Sequence, residues 1–343
     1  PILKLNRLKS KSNYLLLLIK HIIKERKNEK LNNFESINNK GMRIKFKSFC
    51  IRISILILFL SSCKESPNIE IPNLESRKGL LNRSLLYQNQ IREYILYIPQ
   101  SYSEDKPIPV MLNFHGFGGT AQRHLRNADM RKLSESEGFI LIYPQGTLLG
   151  NYPHWNPSSI GEGNKSSADD LGFIDKLLTT LPEKINIDTS RIYACGYSNG
   201  GFFSYGLACD LNSQIAAIGS VAGTMVSDTY ENCQATVPKP MINIHGVNDP
   251  IVPYEGAPGL VSINNVLNFW SKLNFAENME INFFEGVENY VYRDSLETPM
   301  VSHFKIINGG HTWDYNSFLS SNTSTNELIW EFVSKFDING YID

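Results

Sequence analysis

The chain has 343 residues, room for one large domain or two smaller ones, and its 42% apolar and 20% charged content is that of an ordinary globular protein. Its net charge of −1 conceals two unequal parts: residues 1–63 hold 14 Lys/Arg against 3 Asp/Glu, and the rest holds 19 against 31. A body carrying −12 sets nucleic acid aside as a partner, because phosphate binding needs a basic surface, and favours a neutral substrate.

In chain order, residues 1–41 are rich in Lys, Asn and Ile and precede a better start at Met42; they are read as lying outside the native protein. From Met42 a basic stretch with Arg43, Lys45, Lys47 and Arg52 leads into an apolar run over 53–60, too short for a permanent membrane helix. It ends in Leu60-Ser61-Ser62-Cys63, which resembles a bacterial lipobox. The resemblance implies a signal peptide over 42–62, lipid on Cys63, and a location outside the cytoplasm, with the membrane met only through the anchor. On that reading residues 63–79 form the lipidated Cys and a polar tether, and residues 80–343 form a single folded domain. Neither an internal repeat nor a second linker divides that domain.

The domain opens with a β-hairpin, strands 84–87 and 92–98 around Gln88-Asn89-Gln90. Apolar strands at 110–114, 139–143, 191–195, 215–221, 241–245 and 304–307 then alternate with helical patterns at 122–137, 170–181, 201–209, 262–273 and 326–336. That alternation predicts an α/β fold: a mostly parallel central sheet with helices on both faces behind an N-terminal antiparallel hairpin. Such sheets bind ligands beyond the C-terminal ends of their strands.

Strand 191–195 runs into Gly196-Tyr197-Ser198-Asn199-Gly200-Gly201 and a helix, a G-x-S-x-G motif in the strand–turn–helix setting its chemistry requires. The glycines permit a sharp turn that exposes the Ser198 hydroxyl at a helix N-terminus. A serine nucleophile needs a histidine base oriented by a carboxylate. His311, on the loop Asn308-Gly309-Gly310 after the last strand, suits the base; His245 and His303 belong to strands. Asp249, in Gly246-Val247-Asn248-Asp249-Pro250 after strand 241–245, is the candidate acid, whereas Asp169 and Asp170 open a helix and read as capping residues. Two N–H donors must meet the developing oxyanion. These are assigned to Asn199 and to Phe117 in His115-Gly116-Phe117-Gly118-Gly119, with Gly118 as the alternative to Phe117 and His115 as a loop-shaping residue.

Of five cysteines, Cys50 and Cys63 fall in the signal region. The remaining three allow at most one bridge; Cys195 sits on a buried strand, so Cys209–Cys233 is the expected pair. No metal or cofactor is expected, since the histidines lack H-E-x-x-H spacing and the cysteines lack C-x-x-C.

Several segments together carry a family resemblance. They are Asn113-Phe114-His115-Gly116, Tyr143-Pro144-Gln145-Gly146, Asp169 to Phe173, Arg191-Ile192-Tyr193, the Ser198 elbow, the stretch from His245 to Pro253, and Gly309-Gly310-His311-Thr312-Trp313. In this order they resemble the polyhydroxybutyrate depolymerase and feruloyl/acetyl-xylan esterase family of α/β hydrolases, over essentially all of residues 84–336. The resemblance implies a triad of Ser198, Asp249 and His311, and substrate contacts at Trp155 and Trp313; relatives also carry cysteines near positions 209 and 233. It implies a secreted serine esterase, a monomer, working through an acyl-enzyme on feruloyl or acetyl esters of polysaccharides. The alternative is a depolymerase or oligomer hydrolase for 3-hydroxybutyrate polyesters; a serine peptidase and a non-catalytic binding lipoprotein are the remaining readings. Asp314 stands where relatives often have Pro, so the cleft rim departs from the pattern.

Overall fold

The computed structural model describes residues 78–159, 164–319 and 323–342; the signal, Cys63 and nearly all of the tether lie outside them. Fourteen strands and seven α-helices are described. In chain order they are β1 Gly79–Tyr87, β2 Gln90–Ile98, β3 Ile108–Phe114, α1 Ala121–Asn127, α2 Arg131–Glu137, β4 Ile140–Pro144, β5 Thr147–Leu149, β6 Tyr152–His154 and α3 Asp170–Thr180. There follow β7 Ile187–Tyr197, α4 Asn199–Asp210, β8 Ala217–Val221, α5 Ser227–Asn232, β9 Met241–Gly246, α6 Ile263–Leu273, β10 Asn278–Phe284, β11 Val287–Arg293 and β12 Pro299–Ile306. Helix α7 Thr325–Val333 and the short pair β13 Phe336–Asp337 and β14 Gly340–Tyr341 close the chain.

Ten strands form one sheet in the order β1-β2-β4-β3-β7-β8-β9-β12-β11-β10. The six from β4 to β12 are mutually parallel, and an antiparallel hairpin flanks them at each side. The central strands are mainly apolar because both faces are covered, with a few buried polar residues such as Asn113, Asn243 and His303. Val110, Leu112 and Phe114 point into one core, with Leu177 of α3, Phe203 of α4 and Trp270 of α6. Met111, Leu141 and Tyr143 point into the other, with Leu125 of α1 and Ile329 and Trp330 of α7. Trp330 stacks on Phe139 with centroids 3.9 Å apart. Side-chain caps begin four of the described helices: Thr120 on α1, Asp169 on α3, Ser262 on α6, and on α7 a reciprocal Ser324–Glu327 capping box.

Two expectations differ from this architecture. The single helix over 122–137 is two, because the buried Tyr143 hydroxyl inserts at the break: it donates to Ala128 O at 2.7 Å and accepts Met130 N–H at 3.3 Å. The hairpin β10–β11 is an added edge that the apolar pattern does not mark; its outer strand is exposed at most positions, including Phe283 and Phe284.

Cys209, at the end of α4, is disulfide-bonded to Cys233, just past α5, and Cys195 is a buried free thiol. Closing a loop of this length stabilises by about 3 kcal/mol through the unfolded chain. The Cys209→Ala, Cys233→Ala protein should therefore lose about that much in denaturant unfolding, and an unchanged midpoint would contradict it.

Burial also sets an acid limit on stability. His124 and His303 are interior, and desolvation holds each at about 3, far below the ordinary histidine value. Between roughly pH 6.5 and pH 3 the unfolded chain binds protons at these sites that the folded chain does not, so stability falls as pH falls, by about 1.4 kcal/mol per unit for each. Denaturant midpoints measured from pH 7 to pH 4 should decline steeply; a flat profile would contradict neutral burial.

Candidate active site

The turn between β7 and α4 is the most constrained point of the backbone. Ser198 sits there at φ 54°, ψ −117°, a left-handed conformation that costs a non-glycine residue about 1–3 kcal/mol. The surroundings enforce it. Ser198 N–H donates to Val221 O at 2.9 Å, and a Cβ on Gly200 would lie 2.2 Å from the Phe114 carbonyl oxygen. Gly196 is equally tight, its Cβ position 2.3 Å from Gly200 backbone. The side chain of Ser198 thus projects at the N-terminus of α4, where the helix dipole favours negative charge. Its hydroxyl makes no hydrogen bond among the described residues.

His311 and Asp249 meet on the same edge of the sheet, beyond β12 and β9. His311 Nδ1 donates to Asp249 Oδ2 at 2.7 Å, leaving Nε2 as the unprotonated nitrogen of the neutral ring. The other oxygen, Oδ1, accepts the N–H groups of Ile251 at 2.8 Å and Val252 at 2.9 Å. Burial opposes ionisation of Asp249, but these three bonds outweigh it and hold the carboxyl below its ordinary value. The loops carrying Asp249 and His311 are locked together. Asn248 N–H donates to Gly309 O at 3.0 Å, and Tyr315 ties Gly246 to Gly310 by accepting one N–H and donating to one carbonyl. Gly246 has no room for a side chain, since its Cβ would fall 2.3 Å from Gly309 O. Tyr197, next to Ser198, donates to the His311 carbonyl at 3.1 Å, which joins the His311 loop to the Ser198 turn.

The loop after β3 lies against the same turn: a Cβ on Gly116 would be 3.4 Å from Ser198 Cβ. Among the described residues, neither Asn199 N–H nor Phe117 N–H has an acceptor, so both are free to bind an oxyanion. Gly118, the alternative to Phe117, is committed, because its N–H donates to Pro153 O at 2.7 Å. His115 shapes the loop. Its Nδ1 donates to Gly116 O at 2.8 Å and its Nε2 accepts Gly146 N–H at 3.0 Å; burial lowers it to about 4, so it stays neutral.

Trp155 and Trp313 are interior rather than at the cleft, which corrects their assignment as substrate contacts. Trp155 is 1% exposed and stacks on Phe203; its indole N–H donates to His115 O at 3.1 Å, and its backbone is held at both ends by the Asn199 amide, at 2.8 and 2.9 Å. Trp313 is 6% exposed, meets His124 edge to face and donates to Asn326 at 3.0 Å. The exposed aromatics beside the oxyanion loop are instead Phe117 and Tyr152, stacked with centroids 5.8 Å apart. Tyr152 carries no motif in the sequence; its place on hairpin β5–β6 is what brings it there.

Asp169 and Asp170 are engaged elsewhere. Asp169 caps α3 and accepts the Tyr87 hydroxyl; Asp170 is buried, pairs with Arg92 at 2.6 Å and accepts Asn156 N–H at 2.9 Å. Among the described residues no group of three His, Cys, Asp or Glu is placed to hold a metal ion.

Comparison with known proteins identifies the family and the fold. The sequence pattern of the phospholipase/carboxylesterase family matches residues 101–280, just over half of the chain. Feruloyl esterase B of Piromyces equi is 24% identical over 258 residues, covering 72% of this chain and 46% of that protein. The bifunctional acetylxylan esterase/xylanase XynS20E of Neocallimastix patriciarum is 24% identical over 250 residues, covering 73% and 34%. Feruloyl esterase C of Emericella nidulans is 29% identical over 177 residues, covering 51% and 62%. This chain therefore spans between a third and just under two thirds of these relatives' lengths. Among solved structures, an acetyl xylan esterase from Aspergillus awamori superposes with a TM-score of 0.55 at 16% identity, over 74% of this chain and 99% of that one, which establishes the shared fold. The chain belongs to the phospholipase/carboxylesterase family of α/β hydrolases.

Proposed function

We propose that this protein is a serine carboxylic-ester hydrolase acting through an acyl-enzyme on feruloyl or acetyl esters of polysaccharides, outside the cytoplasm. The observation that carries the chemistry is the 2.7 Å His311–Asp249 bond on the strand edge that holds the Ser198 turn. The substrate class rests on the relatives, whose names are feruloyl and acetylxylan esterases.

In the reaction, Ser198 Oγ attacks the ester carbonyl as His311 Nε2 takes its proton, and Asp249 stabilises the imidazolium that forms. Negative charge moves to the former carbonyl oxygen, met by the N–H groups of Asn199 and Phe117. The C–O bond to the alcohol breaks as His311 returns the proton to the leaving oxygen. Water, deprotonated by the same His311, then attacks the acyl-serine; the carboxylic acid leaves and Ser198 recovers its proton.

Ser198→Ala and His311→Ala should each lower turnover of p-nitrophenyl acetate by about 10⁴–10⁶ with the melting temperature retained. Near-normal turnover in a folded Ser198→Ala protein would overturn the proposal. Asp249→Asn should cost about 10⁴ by admitting the wrong histidine tautomer. Asp170→Asn should act on stability instead, leaving Arg92 buried without its counter-charge at a cost of about 3–5 kcal/mol. If Asp170→Asn were the more damaging to turnover at unchanged stability, the acid would be wrongly assigned.

A panel of methyl ferulate, acetylated xylan and 3-hydroxybutyrate oligomers tests the substrate class; cleavage of the oligomers alone would replace the polysaccharide reading. Location rests on the lipobox-like Leu60-Ser61-Ser62-Cys63, followed by a polar segment. The form starting at Met42 should partition into detergent and its Cys63→Ser variant into water; equal aqueous partition of both would refute the anchor.

A further inference from the structure

Behind the oxyanion loop lies a cleft of about 680 Å³, between hairpin β1–β2 and hairpin β5–β6, that the reaction above does not use. We propose that this cleft is a subsite for the neutral sugar backbone that carries the ester, a reading that rests on the proposed function.

Its size is that of a ligand site, but its chemistry is not that of an apolar pocket. Gln90, Glu93 and Ser167 supply side-chain amide, carboxylate and hydroxyl groups, while the amides of Gln88 and Gln145 are engaged with Asp169 and with Ala121 and Gly146. These offer donors and acceptors together, as a row of sugar hydroxyls requires. One exposed apolar side chain comes from each hairpin, Ile91 at 73% and Leu148 at 64% exposure. A pyranose ring has the same amphipathic character, with hydroxyls round its edge and C–H groups on its faces. Covering Ile91 and Leu148 with those faces removes apolar surface from water.

Charge disfavours an anionic ligand. The sole cation among the lining residues is Arg92, and it is buried in its pair with Asp170 at 2.6 Å, with its guanidinium 4.0 Å from the centre of the Phe173 ring. Glu93 and Asp169 also line the cleft, so an anionic ligand meets carboxylates and, among the lining residues, no available positive charge. A polyester backbone offers acceptors but no donors, so covering the Glu93 carboxylate with it would leave that group unpaired.

The cleft shares its wall with the reaction centre. Pro153 lines it and accepts Gly118 N–H at 2.7 Å, while Gly146 lines it and donates to His115 at 3.0 Å. Tyr152, adjacent to Pro153, stacks on Phe117. A glycan held here therefore lies against the hairpin that borders the oxyanion loop, in place to present a side-chain ester across it.

The test is calorimetric titration of unesterified xylohexaose into the wild-type protein and into the Ile91→Asp, Leu148→Asp double variant, whose replaced side chains are exposed and leave the fold unstrained. Wild type should bind saturably and the variant about ten-fold more weakly at an unchanged melting temperature. The ratio of kcat/KM on acetylated xylan to that on p-nitrophenyl acetate should fall by the same factor. Absence of saturable binding by wild type, equal binding by the variant, or binding of 3-hydroxybutyrate oligomers in place of xylohexaose would overturn the subsite. Loss of the proposed function shows separately, as failure of the wild-type protein to hydrolyse acylated xylan or methyl ferulate.

Discussion

The site depends on one close approach, the backbone of Gly200 against the carbonyl of Phe114. With the Cβ position of Gly200 only 2.2 Å from that oxygen, any side chain would force β3 and the start of α4 apart. The approach holds Ser198 in its strained left-handed conformation, and it draws the loop after β3 to the nucleophile. The N–H groups of Phe117 and Asn199, the proposed oxyanion donors, lie on the two segments that this contact joins. A strained residue persists only where its surroundings over-determine it, and here glycine sterics and the Ser198–Val221 hydrogen bond do so together.

Around this point the protein uses buried polar groups as struts. Asn199 clamps the backbone of Trp155, Trp155 holds His115, and His115 bridges to Gly146 on the next loop. Farther out, Asp170 links Arg92 of β2 to Asn156. Each such bond is stronger in a low-dielectric interior and expensive to leave unmade, so the chain of contacts fixes loop positions more tightly than apolar packing alone. The Asp249 and His311 loops are braced against each other by Tyr315 and by the Gly246–Gly309 contact. The same bracing makes the interior intolerant of protons, since His115, His124 and His303 are all held neutral by burial.

Much of this was legible in the residue pattern because parallel strands buried on both faces must be apolar. The runs at 110–114, 139–143, 191–195 and 241–245 show it, and the chemistry-bearing residues follow those runs directly. Chain order then placed Asp249 and His311 after β9 and β12. What the pattern could not carry was decided by contacts distant in sequence. Tyr143 breaks the helix at 128–130 through its hydroxyl, which no local propensity records. The β10–β11 hairpin shows little apolar alternation because its outer strand faces solvent. Trp155 and Trp313 look like cleft residues beside a motif, yet whether an indole points inward or outward depends on which neighbours receive its N–H. Tyr152 reaches the oxyanion loop only through the short hairpin β5–β6.

The central claim is that Ser198 becomes covalently acylated, and a fluorophosphonate that mimics the tetrahedral intermediate probes it most directly. Intact-mass measurement after treatment should show one adduct per chain, peptide mapping should place it on Ser198, and esterase activity should vanish in step with labelling. Complete labelling at another residue, or full activity in a protein labelled at Ser198, would contradict the account.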